Sequence, residues 1–384
     1  MTTAVLRPEA PAVSELADLL FASLRRRDQR ERGEQYLRGL LAAEGRKSIR
    51  NIASVIGGSA TEQSLHHFVS CSPWEWAPMR RALAAYVHRA VEPQAWVVQS
   101  MQIPKVGEHS VGVDRHFVPH LGQTVNGQQV FGVWLASPRL SAPVNWRMFL
   151  PGSWLEDTDR RRRAEIPEGL PEETMAACAA SVVMEAAAWG LPPRAVLLDA
   201  RDPELRGALD TFTALGIPFL ARIDGGDRLA VADPSLPGYG AGALSAQQIM
   251  RSVSGLRRPV EWLDPSAPTP AVRTSLVAGI RVEPVRAPYR ARPAEAGRDA
   301  TMLIGEWRDP QRPPAELWLT GMASSAPAGL LRLSKLTRRV ARDHREFGEP
   351  SGLGEFAGRS FQGWHRHVTL ASAAHTAALL GAQR

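Results

Sequence analysis

The chain carries two cysteines, Cys71 and Cys178, in 384 residues. A pair excludes both a disulfide framework and a four-cysteine zinc site. No apolar run approaches the roughly 20 residues a membrane-spanning helix needs, so no membrane partner is expected. The first residues, MTTAVLRPEAPAVSEL, lack a basic start followed by an apolar stretch, so a secretory leader is not expected and a cytoplasmic protein is. Lysine is almost missing. Lys47, Lys105 and Lys335 are the lysines, so nearly all of the 46 basic residues are arginine, set against 39 acids for a net charge of +7. A GC-rich genome also produces arginine in bulk, so its distribution matters more than its total. Residues 1–90 hold 13 Lys/Arg against 9 Asp/Glu, and residues 331–384 hold 9 against 4. Basic charge gathered at both ends suits a chain that lies along a polyanion.

Apolar residues at three- and four-residue intervals in "VSELADLLFASL", "EQYLRGLLA" and "MRRALAAYVHRAV" predict helices through residues 12–90. Between them a basic helix, Lys47 to Ile56, meets Gly57-Gly58, and Ser59-Ala-Thr-Glu62 reads as a capping box opening the next helix. Helix, glycine turn, helix is the shape of a helix-turn-helix reader and equally of an ordinary helical hairpin. From Ala95 to Leu150 short Val-, Phe- and Trp-rich runs predict strands, with Asn126-Gly127 as a turn signal. A charged loop, "EDTDRRRRAEIPEG", leads to a helix near 171–190. The strand "RAVLLDA", a helix from Pro203 to Leu215 and the strand "IPFLARID" follow. Residues 224–300 are Pro- and Gly-rich with scattered strands, and "ATMLIGEWR" and "ELWLTG" add more before the chain returns to helix. Three strands, helix, strand, helix, strand predicts an α/β fold with a ribonuclease H-like mixed sheet flanked by helices. The expected organisation is a helical DNA-binding domain at 1–92 and the first part of the core at 93–223. A β-rich insertion at 224–300 precedes core completion and C-terminal helices at 301–384.

Several long stretches resemble the DDE transposases of bacterial insertion sequences. They are "KSIRNIA", "LHHFVSCSPWEWAPMRRAL", "HSVGVDRHF", "NWRMFLPGSW", "WGLPPRAVLLDA", "LSKLTRRVARDHREF" and "LGEFAGRSFQGWHRHVTL", and the likeness spans roughly residues 30–380. The resemblance implies a ribonuclease H-like core with an aspartate ending the first strand, a second ending the fourth, and a glutamate on a late helix. Those three carboxylates hold two divalent metals that activate water and stabilise the leaving 3′ oxygen. Mg²⁺ is a hard ion and takes anionic oxygen ligands. The family's first-strand "VVDDT" falls here on Val97, Val98, Gln99, Ser100 and Met101, which puts Ser100 at the ligand position. The second acid persists as Asp199. The helix glutamate falls on Ala341. On the strand, Val98 and Gln102 share the face of Ser100. On the helix, Thr337, Arg338, His344, Arg345 and Gly348 share the face of Ala341, while Asp343 and Glu346 are turned from it by about 200° and 140°.

These readings lead to the expectation of a transposase-derived, sequence-specific DNA-binding protein with an inactivated site at Ser100, Asp199 and Ala341. It would be no enzyme, would bind no cofactor or metal, and would act as a regulatory or architectural factor on the nucleoid. Its expected partners are double-stranded DNA and a second copy in a homodimer. Two alternatives stand beside it: an active transposase that cleaves and joins DNA with Mg²⁺, and a protein-interaction module that inhibits an active transposase. Asp199 reads as a strand-end carboxylate capping the following turn. His109, His116, His120, His344, His365 and His367 lack the partners of a zinc site and read as packing or phosphate-facing groups. For DNA contact, Arg46, Lys47 and Arg50 would position the backbone, with Ser59, Thr61, Gln63, Ser64, His66 and His67 facing a groove. Lys105, Arg160, Arg161, Arg162 and Arg163 would grip phosphates, as would Arg338, Arg339 and Arg345. Arg359, Trp364, His365 and Arg366 would do so from a loop.

Overall fold

The apolar spacing of the first ninety residues does give helices: α1 Ala10–Phe21, α2 Arg27–Ala42, α3 Ile49–Ile56, α4 Ser59–Ser70 and α5 Trp76–Val91. The structure is a computed structural model that describes residues 10–57, 59–118, 122–267, 269, 271–284 and 301–382. His120 lies outside these residues, as does the Ser59 side chain with its capping box. Strands β1 Ala95–Pro104, β2 Val113–Val118, β3 Gln123–Ala136 and β4 Ser141–Met148 follow, then the short helices α6 Gly152–Leu155 and α7 Thr158–Arg163, and α8 Met175–Ala187. Next come β5 Ala195–Asp199, α9 Gly207–Ala214, β6 Phe219–Ile223, β7 Arg228–Val231 and β8 Leu244–Ser245. Helix α10 Ala246–Ser252 precedes β9 Arg258–Leu263, β10 Val272–Pro284, β11 Thr301–Trp307 and β12 Glu316–Thr320. Helices α11 Pro327–Ser334, α12 Leu336–Asp343 and α13 Phe361–Gly381 close the chain.

The fold is α/β, with mixed sheet strands and helices in ribonuclease H-like order: β1, β3, β4, α8, β5, α9, β6. The chain divides into two compact units that differ from the four expected segments. The first holds residues 1–93, 99–192 and 340–384, the second residues 94–98 and 193–339. Strand β1 and helix α12 each belong partly to both.

In the first unit β3 pairs with β2 along its first half and with β4 along its second, both antiparallel. Asn126-Gly127 makes no turn: it lies inside β3, where a Cβ on Gly127 would stand 2.5 Å from the Ile103 carbonyl oxygen. The glycine serves close backbone approach instead. Helix α13 is buried along nearly its whole length. It packs with Trp146, whose Nε1 donates to Ser372 Oγ at 2.8 Å, and with Trp134, whose ring meets His375 edge-on at 5.1 Å. Arg80 of α5 is buried there too. It donates to Thr369 Oγ1 at 2.8 Å, the Trp146 carbonyl at 2.7 Å, Asn145 Oδ1 at 3.1 Å and His365 Nδ1 at 3.0 Å.

In the second unit Ala95–Val98 of β1 runs parallel to β5, and β5 runs parallel to β6. From β6 the order continues antiparallel through β12, β11 and β10 to β7, with β9 also on β10. Ile249 and Met250 of α10 pack on Leu303, Trp307 and Val282 in one apolar cluster. Ser245 and Gln248 form the capping box that starts α10, a helix the Pro- and Gly-rich composition did not announce.

Candidate nucleic-acid interface

The charged stretch expected as a loop contains a helix. Asp157 caps α7 by accepting the Arg160 N–H at 2.9 Å, and four consecutive arginines fill the rest of it. A helix turns them to different tasks. Arg160 and Arg163, three apart, face a cavity of about 310 Å³ lined also by Glu108, His109, Trp154, Asp157 and Arg359. The Arg160 guanidinium lies 3.8 Å from the Trp154 ring centroid and donates to the Glu108 carbonyl at 3.1 Å. Trp154 is itself fixed by its Nε1 bond to the Val113 carbonyl, 2.9 Å. Arg161 turns away to bind the Pro167 and Glu168 carbonyls, and Arg162 pairs with Asp159 at 2.7 Å. Arg359 reaches the rim because the loop carrying it is tied on both sides: its carbonyl accepts from Val111 N, and Ala164 O accepts from Phe361 N at 2.7 Å. Three guanidiniums therefore meet two carboxylates, one of them already occupied as a helix cap.

The N-terminal helices present Arg50, Gln63, His66 and His67 to solvent, and the loop before α3 presents Arg46, with Thr61 and Ser64 half-buried. Lys47 differs from expectation. It is buried, and its Nζ binds the Ala43 carbonyl while its backbone N–H donates to Glu355. Trp364, His365 and Arg366 are corrections of the same kind, being 1%, 5% and 5% exposed. They lie on α13, whose N-cap Ser360 starts the helix where a loop was expected. Arg366 donates to the Trp74 and Val69 carbonyls, and the His365 ring stacks on Trp76 at 4.5 Å. Lys105 is half-buried on the Phe356 carbonyl, and Arg339 is buried beside the Pro265 carbonyl. Arg345 is exposed, within a wide π-type turn, His344–Gly348. That extra width breaks the simple helical reckoning of which side chains share the face of Ala341.

A second constellation, which sequence reading did not find, lies in the second unit. Asp199 ends β5 and accepts both arms of Arg201, at 2.8 and 2.6 Å, with the Arg201 backbone N–H at 3.3 Å, so it does hold its turn. Arg222 of β6 stands 4.0 Å from Asp199 and 3.9 Å from Glu316 at the start of β12. The same Glu316 oxygen accepts from Arg308 and Arg338, each at 2.9 Å. Beneath it Lys335 sits fully buried between Glu316 and Glu306, above the Trp262 ring at 4.7 Å. Glu306 also accepts from Ser275 at 2.7 Å. Burial pushes the Glu316 pKa up, but Lys335, Arg222 and Arg338 outweigh it and hold the carboxyl below its usual range. Burial likewise lowers Lys335, against the pull of Glu316 and Glu306.

A two-metal centre needs anionic oxygens from several side chains. Ser100 brings a neutral hydroxyl and Ala341 a methyl, and both oxygens of Asp199 are taken by Arg201. Among the described residues no group of three His, Cys, Asp or Glu side chains is placed to hold a metal. The residues at these three positions do not fit such a centre.

The family description "DDE superfamily endonuclease" matches residues 19–281. The chain belongs to the DDE superfamily endonuclease family. Its sequence is also 25% identical over 126 residues to a probable transposase for insertion sequence element IS701 from Microchaete diplosiphon. That match covers 32% of this chain, and the chain spans about a third, 33%, of the length of that curated relative. The expectation that the protein is no enzyme is thereby overturned: this family is one of endonucleases, and the relative is named for transposition. Substitution at Ser100 and Ala341 does not demonstrate loss of DNA cleavage. DDE endonucleases normally use a divalent metal, so the expectation of no cofactor does not follow from membership.

Proposed function

We propose that the protein acts on double-stranded DNA as an insertion-sequence transposase, cleaving and joining strands, with the first unit gripping the phosphate backbone. The match to the endonuclease family over residues 19–281 carries this reading. The cavity between α7 and the Arg359 loop supports it, because planar guanidiniums with fixed orientation bind phosphate oxygens in pairs. Sequence preference is assigned to α4, whose exposed Gln63, His66 and His67 carry the donors and acceptors that read base edges. Pairing two DNA ends would call for a homodimer. Among the described residues no helix is long and apolar enough to cross a membrane, and the reading places the protein with DNA in the cytoplasm.

The test is incubation of the full chain with supercoiled plasmid bearing candidate terminal repeats and a divalent cation. Nicked or joined products are expected. Replacing Arg160, Arg163 and Arg359 together with alanine should weaken DNA binding at least tenfold. The log-log salt slope should fall by about 2 to 3, since each phosphate contact contributes about 0.9. No cleavage with any divalent cation, or an unchanged salt slope in the triple variant, would sink the corresponding half of the proposal.

A further inference from the structure

The Glu316 constellation brings more guanidiniums than carboxylates into direct contact. Lys335 and Glu306 cancel in the interior, where both are shut from solvent. That leaves Asp199 and Glu316 in direct contact with Arg201, Arg222, Arg308 and Arg338, two carboxylates for four guanidiniums, with Asp224 acting on Arg201 and Asp264 on Arg338 from further off. Two of the four guanidiniums already converge on one oxygen of Glu316, which fixes their orientation. Arg201 is spent on Asp199, whereas Arg222 is held loosely, approaching both carboxylates no closer than 3.9 Å. Arg308 is 57% exposed and Arg222 31%, so both retain donors open to solvent. Cations held this close by covalent and packing constraints repel one another, and a dianionic or monoanionic oxyanion settling among them relieves that repulsion.

We infer that Arg222, Arg308 and Arg338, oriented by Glu316, form a phosphate-binding site in the second unit that takes a backbone phosphate of a DNA strand. In this site Glu316 is a positioning residue. The buried Lys335–Glu306 pair, braced by Ser275 and through it by Trp262 Nε1 at 3.0 Å, sets where Glu316 sits. The inference rests on the DNA-acting function proposed above and adds a second point of backbone contact to the arginine cavity of the first unit.

Two substitutions at partly exposed positions test it without disturbing the core: Arg222→Gln and Arg308→Gln. Arg312→Gln, at a highly exposed position on the same unit, is the control. The double variant should lower the magnitude of the log-log salt slope of DNA binding by about 0.9, the loss of one phosphate contact, each single variant by no more than that, and the control should not move it. In a second arm, millimolar inorganic phosphate should raise the melting temperature of the wild type above that in chloride at equal ionic strength, and the double variant should lose this rise. A phosphate-dependent rise with unchanged DNA slopes would overturn the DNA assignment in favour of a free phosphate or nucleotide. Unchanged slopes with no phosphate effect would overturn the site altogether. If the wild type binds no DNA, the function proposed above fails, and the phosphate arm alone decides whether the anion site exists.

Discussion

At the scale of single residues, the interior of the first unit is built around polar groups held in one protonation state. Arg80 has exchanged water for the side chains of Thr369, Asn145 and His365 and the Trp146 carbonyl. Burial pulls its pKa down to about 9, so it remains charged at neutral pH. Arg80→Ala strands those acceptors, and the expected loss is about 2–4 kcal/mol in urea unfolding. Arg80→Lys should recover little of it, because an ammonium lacks the planar fork that reaches four partners at once. His367 makes a complementary case. Its Nε2 faces the Gly352 carbonyl at 2.8 Å, which only accepts, so Nε2 carries the proton and Nδ1 accepts from Tyr36 Oη at 2.8 Å. Burial lowers the His367 pKa from 6.5 to about 4. Below pH 6.5 the unfolded chain binds a proton that the folded chain refuses until about pH 4, so stability falls as pH falls through that window. The single group accounts for about 3 kcal/mol across it. His365 and His344, also held neutral chiefly by burial, add to the same slope. His367→Gln should flatten the curve of stability against pH between those limits. An unaltered slope would show that the proton goes elsewhere.

Among the elements, α7 shows how a cap decides a site. Asp157→Ala removes the acceptor for the Arg160 N–H and should cost the helix about 1 kcal/mol. Arg160 and Arg163 then lose their fixed spacing, and DNA affinity should drop even though the change removes a carboxylate from the cavity and leaves it more positive. Gel shifts at constant salt would measure it, and equal affinity would detach the helix from binding. The same helix shows where sequence patterns were readable. The strands and the apolar helices were legible because period and composition agree, and the Arg160–Arg163 run and Arg359 were legible as candidate DNA contacts. Helix α7 was not, since a six-residue run of Thr, Asp and Arg has no apolar period. Trp364, His365 and Arg366 looked exposed because arginine and histidine usually are, and the Ser360 cap that folds them inward is a single letter. The Glu316 constellation draws on β5, β6, β11, β12 and α12, so no local motif holds it. A usable signal did exist. Glu306 and Glu316 sit inside apolar strand sequences, and a carboxylate there requires a cation such as Lys335.

For the whole molecule, neither unit is a continuous stretch of sequence. Residues 94–98 give the second unit the part of β1 that covers one side of β5. A fragment of residues 193–339 would leave that side of β5 unpaired, and a bare parallel strand invites pairing with other chains. Such a fragment should self-associate in light scattering, and fusing residues 93–104 to its front should reduce this. A monodisperse, folded fragment would count against the shared strand. The net charge of +7 is likewise spread across both units, with arginine cavities or clusters in each.

Tyr36 hydrogen-bonds His367 across 331 positions of chain. During synthesis the helices emerging first must therefore wait, uncovered, until α13 has left the ribosome. Stepwise folding in the order of translation is closed to the first unit, so its maturation should be slow and should lean on chaperones that shelter apolar surface.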